Sequence, residues 1–169
     1  MPLLTAAEER VLSRQIEGAR HVERLEAAYL KKYQTEPSAV TITADLIGRL
    51  VRDYTVLDAA RRYLEIEAGF TVGELLRMPE IRNAIDNAIK PELVASVAEA
   101  TDRTYAASDE AIVALSVNSG LLPAEAALLL ETESLERLST LVAEGTLESL
   151  LQPHEDEFRR HYDEIKHAA

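Results

Sequence analysis

Between Thr5 and Gln34 apolar residues return at helical spacing, through Leu12, Ile16, Ala19, Val22, Tyr29 and Tyr33. The pattern predicts a helix over that whole span, about 45 Å long at ~1.5 Å per residue. Such a rod is longer than a domain of this size needs, so it is expected to project or to act as a strut. Thr5 and Glu8 stand in the T-x-x-E spacing of a capping box, in which each side chain satisfies an orphan backbone N–H. Glu8 and Glu9 fall in the first turn, where the helix dipole favours negative charge. Arg10, Arg14, His21, Arg24 and Lys31 gather on the side away from the apolar stripe. Glu36-Pro37-Ser38 ends the helix, because proline disfavours helical geometry in the residue before it.

Past Ser38 the helical patterns are short and heavily punctuated. Val40-Thr41-Ile42-Thr43 is the one β-like tetrad, with Thr43 expected to cap a helix through Leu46, Ile47, Leu50 and Val51. Asp53–Thr55 should break that helix before a second over Val56–Glu67, with Gly69 as its C-cap. Thr71-Val72-Gly73-Glu74 is a second capping box, opening a two-turn helix that stops at Met78. Pro79, Pro91, Pro123 and Pro153 sit where helices should begin, and Gly120 and Gly145 where they should stop. The expected fold is all-α: one long N-terminal helix and about eight short ones, crossing irregularly around one core. Residues 1–34 form the long helix and 35–169 the rest, packed with it as one domain.

Aromatics make up only 5 % of the chain, so its core must be built from Leu, Ile, Val and Ala. The absence of cysteine excludes disulfides, thiolate metal sites and cysteine nucleophiles, and points to a reducing cytoplasm. No apolar run approaches the ~20 residues of a membrane span. Residues 1–62 hold ten Lys/Arg against nine Asp/Glu, whereas residues 63–169 hold eight against twenty-one. The acidic part would repel phosphate, so any nucleic acid should meet the first third.

Candidate sites are few. Ala106–Glu131 has the outline of a helix-turn-helix, but its second helix, Ala124–Glu131, offers no Arg, Lys, Asn or Gln to read base edges. It reads as a packed hairpin. Glu164 and His167 make a single E-x-x-H; a dinuclear metal bundle needs a second copy and further glutamates, so no metal or other cofactor is expected. No G-x-S-x-G and no phosphate-cradling glycine loop occurs, and no catalytic residues are expected. Arg10, Arg14, Arg24 and Lys31 are candidates to face a polyanion, with Lys32, Arg49, Arg52, Arg61 and Arg62 in the wider set, although ion pairing would consume many of these.

The string Leu3-Leu4-Thr5-Ala6-Ala7-Glu8-Glu9, continued by Leu12, Ile16, Glu17 and Gly18, resembles the end of region 1.2 of bacterial primary sigma factors. These subunits direct RNA polymerase to promoters. Leu75–Asp86 and Leu115–Pro123 resemble parts of the variable helical insertion that many such factors carry before region 2, and Phe158–Lys166 looks like the helix leading into it. The resemblance implies a fragment of a sigma factor acting in promoter-directed transcription initiation, with core RNA polymerase and promoter DNA as partners of the full-length protein. The aromatic-led stretch that in the family precedes this motif and touches discriminator DNA is absent. The fragment is therefore expected to be a monomer that binds DNA weakly or not at all, with no membrane contact. The rival expectation is a free-standing acidic helical interaction module, or an anti-factor, that meets one protein partner and no DNA.

Overall fold

A computed structural model describes residues 3–168 of the chain. It is 80 % helical with no strand among those residues, so the class is all-α as expected. The long helix α1 spans Ala6–Tyr33. It is followed by α2 (Ala39–Arg52), α3 (Tyr54–Tyr63), α4 (Val72–Arg77), α5 (Pro79–Asp86) and α6 (Pro91–Thr101). Then come α7 (Tyr105–Gly120), α8 (Ala124–Thr132), α9 (Leu135–Glu144), α10 (Leu147–Leu151) and, after one 3-10 turn, α11 (Glu155–His167). Ten short helices thus follow α1 among the described residues, where about eight were expected. The breaks at Met78–Pro79 and at Gln152–His154 fall where Pro79 and Pro153 were expected to begin helices.

The local stop and start signals explain most boundaries. Thr5 and Thr71 each complete a capping box, with Glu8 and Glu74. The backbone and hydroxyl of Thr71 hold the Glu74 carboxyl below its ordinary range, because these hydrogen bonds favour the charged form. Pro79 and Pro91 open α5 and α6, and Pro123 immediately precedes α8. Gly145 closes α9 in the left-handed region at φ 68°, where a side chain would be strained.

Two expectations are corrected. Val40–Thr43 is neither extended nor a cap; it is the first turn of α2, which begins four residues before Thr43. Thr43 is buried inside that helix and donates its hydroxyl to the Ala39 carbonyl at 2.9 Å. The third helix ends at Tyr63, short of Glu67, and Gly69 lies beyond its C-cap residue Leu64.

Contacts divide the chain after Ala44 and again after Leu147. One unit joins residues 1–44 to residues 148–169; the other holds residues 45–147. In the first, α1 buries Gly18, Ala19, Val22 and Leu25 and packs against α11, which buries Phe158 and Tyr162. These are the two aromatic residues among the buried apolar side chains, and all the others are aliphatic. In the second unit α3 packs on α6, α6 on α7, α5 on α7 and α4 on α8. Its centre is Leu57, Leu75, Ile81, Leu93, Ile112, Leu115 and Leu130, all fully buried. There α4 meets α8 at Gly73: a methyl group on that residue would collide with the backbone of Leu130 and Glu131. The Thr71 hydroxyl donates to the Glu131 carbonyl at 2.9 Å at the same crossing.

Candidate functional site

The first half of α1 is structurally distinct from the second half. Thr5 Oγ1 accepts from the Glu8 N–H at 3.1 Å, and the Glu8 carboxylate accepts from the Thr5 N–H at 3.0 Å. After this start the apolar stripe stays bare: Leu4, Val11 and Leu12 are 51 %, 56 % and 41 % exposed, and Leu3 is more exposed still. Glu8, Glu9 and Glu17 are exposed, Ile16 is half-buried, and burial begins at Gly18. The reason is length. At ~1.5 Å per residue α11 is about 20 Å long and α1 about 42 Å, so α11 can cover only part of the stripe.

Beyond Gly18 the packing is pinned by polar contacts that the sequence does not announce. Lys166 Nζ donates to both oxygens of Glu26 at 3.2 Å. The Glu155 carboxylate accepts from the Ala39 and Val40 N–H groups at 3.2 and 2.9 Å, so a residue of α11 caps α2. Ser38 Oγ accepts from the Thr41 N–H at 3.0 Å and completes that cap. Val22, Glu26, Ile42, Arg159 and Tyr162 border a small depression with room for about one water molecule. At the far end of α1, Tyr29 and Tyr33 pair at 4.5 Å between ring centroids, and Lys32 Nζ lies 5.2 Å from the Tyr33 ring.

The structure sorts the candidate cations into two groups. Arg49 pairs with Asp45 at 2.8 Å, and Arg61 and Arg62 pair with Asp58 at 3.0 and 3.2 Å. Those three serve as ordinary intrahelical ion pairs. Outside α1, Arg77, Arg82, Arg103, Arg159 and Lys166 also hold carboxylates. In α1 itself, Arg10, Arg20, Arg24, Lys31 and Lys32 are exposed and form no ion pair among the described residues. Arg14 is exposed as well, and His21 is half-buried.

The other candidates resolve into packing. α7 and α8 meet at 114°, an angle within the helix-turn-helix range, but Ala126 and Leu130 of α8 are core residues and its charged positions are acidic. No single helix among the described residues is long and apolar enough to cross a membrane. Glu164 and His167 lie exposed on α11, and no group of three or more potential metal-ligating His, Asp or Glu occurs among the described residues. Arg82 grips Asp86 at 2.6 and 2.9 Å and donates to Ser119 at 2.8 Å, while Ser116 donates to Asp86 at 2.6 Å. This network ties α5 to α7. Comparison with protein-family models, curated proteins and solved structures finds no match to this chain.

Proposed function

We propose that this chain is a helical piece of a bacterial primary sigma factor, acting in promoter-directed transcription initiation as part of RNA polymerase holoenzyme in the cytoplasm. One observation carries the reading. The residues that resemble region 1.2 form a well-capped helix whose apolar edge, Leu4, Val11 and Leu12, is left uncovered by the rest of the chain. In this reading that edge braces the part of the factor that opens the promoter. The remaining helices are the insertion, which enlarges the body of the factor and touches core polymerase. The role is one of binding and bracing, without catalysis, cofactor or metal.

The test uses the whole product of the gene. Mixed with core RNA polymerase and run on a sizing column, it should co-elute with the enzyme and support initiation from a promoter. A reading frame that stops at Ala169, or a full product that elutes apart from core polymerase, rejects the proposal. Either result favours a free-standing acidic interaction module.

A further inference from the structure

At ~100° per residue, all six Lys and Arg side chains of α1, with His21, fall within a sector of about 120° around the helix axis. These are Arg10, Arg14, Arg20, Arg24, Lys31 and Lys32. The sector faces away from Gly18, Ala19, Val22 and Leu25, which are packed. Of the helix's five glutamates only Glu17 lies inside it; Glu8, Glu9, Glu23 and Glu26 lie outside. Most cations elsewhere in the chain hold a carboxylate, whereas Arg10, Arg20, Arg24, Lys31 and Lys32 hold none. In a protein of net charge −12, one helix therefore keeps a cationic ridge of which Arg10, Arg20, Arg24, Lys31 and Lys32 hold no carboxylate among the described residues.

The rest of the sector decides what such a ridge fits. Its other residues are Ala6, Ser13 and Ala28, so it contains no large apolar or aromatic side chain. Protein interfaces are anchored by buried aromatic and aliphatic residues with charge at the rim. An anionic membrane surface needs the apolar face opposite the cations free to enter the bilayer, and here that face is already packed at Gly18, Ala19, Val22 and Leu25. A phosphodiester backbone needs only charge at repeated intervals. From Arg10 to Lys31 the ridge runs about 31 Å at ~1.5 Å per residue, long enough to meet several successive phosphates.

We infer that this ridge is a sequence-independent binding surface for the phosphate backbone of a nucleic acid. It stands on the charge pattern of α1 and holds whether or not the sigma-factor reading does. Binding is measured on the whole 169-residue chain by fluorescence anisotropy. The probes are a labelled mixed-sequence single strand and its duplex, each long enough to span the ridge. Either probe should bind saturably at low salt. With about four phosphates engaged, an approximately fivefold rise in salt should weaken single-strand binding roughly 100-fold. The triple variant R10E/R24E/K31E should lose at least about tenfold more affinity than R52E/K90E/R137E, which changes the net charge equally at exposed sites elsewhere. Should the reversed ridge fail to fold, R10Q/R24Q/K31Q against R52Q/K90Q/R137Q gives the same comparison with a smaller loss. Equal losses in both sets, or no saturable binding at low salt, overturn the inference. Capture of polyglutamate without either oligonucleotide overturns it in favour of an acidic protein partner.

Discussion

The Tyr162 hydroxyl lies 2.6 Å from Thr43 Oγ1, in a buried contact that joins α11 to the first turns of α2. Thr43 has already given its single proton to the Ala39 carbonyl, so Tyr162 is the donor and Thr43 the acceptor. Removing each partner leaves a different group stranded. Thr43→Val orphans a buried phenol O–H and should cost about 1–3 kcal/mol, whereas Tyr162→Phe leaves only a spare lone pair and should cost about 1 kcal/mol. Urea titrations should rank the variants in that order, and the double variant should cost less than the sum.

Burial also pushes the Tyr162 hydroxyl's pKa up, because the charged phenolate would sit away from water. A raised value means that the fold holds this proton after the unfolded chain, titrating near the ordinary ~10, has released it. The stabilisation is therefore complete below about pH 10 and is lost as the pH climbs further. Stability measured from pH 9 upward should fall more steeply in the native chain than in Tyr162→Phe. Parallel curves would contradict this.

Glu155 shares the capping of α2 with Ser38, so Glu155→Ala should cost about 1–2 kcal/mol, the usual range for a lost N-cap. Glu155→Gln, which keeps an oxygen acceptor but gives up the charge and the Arg159 ion pair, should fall between the two. Thermal melts of the three proteins test the ordering.

At the crossing of α4 and α8, Gly73→Ala puts a methyl into backbone atoms that cannot rotate away. A loss of about 2–3 kcal/mol is expected, as for an overpacked core. Gly120→Ala is the control: nothing lies within 4 Å of its new methyl, and it should be neutral or slightly stabilising. Equal effects at the two sites would refute the close approach.

Leu4→Ser with Leu12→Ser should leave stability within about 0.5 kcal/mol of the native chain, because neither side chain is covered. The same changes in the full gene product should weaken its binding to core polymerase or its activity in initiation. A large stability loss, with assembly and initiation intact, would reverse the assignment of that edge.

What could be read from the sequence followed the range of the forces involved. Capping boxes and the prolines at Pro79 and Pro91 act within one turn, and each was legible from spacing alone. Arg49 with Asp45, and Arg62 with Asp58, are likewise neighbours at i and i+4. The start of α2 was not legible, because its capping carboxylate arrives from Glu155, 115 positions away from Val40. Ser38 is a local cap, but the β-branched run Val40–Thr43 masks the helix it opens and shifts the expected cap to Thr43. The same distance hid the pairing of α1 with α11, and with it the point where the apolar stripe goes bare. Composition located the cations in the first third, but only coordinates separate those spent on ion pairs from those left unpaired.

The early end of α11 also divides α1 into two kinetic classes. Ala6–Glu17 is a segment of twelve residues held by its capping box and its continuity with the rest of the helix. A stretch of ~12 residues without tertiary support is marginal as a helix in water. Its amides should therefore exchange with deuterium long before those of Val22 and Leu25, which open only when α11 leaves. A partner that seats on Leu4, Val11 and Leu12 would slow exchange there without touching the slow class, so the protection of a dozen amides becomes a direct gauge of docking.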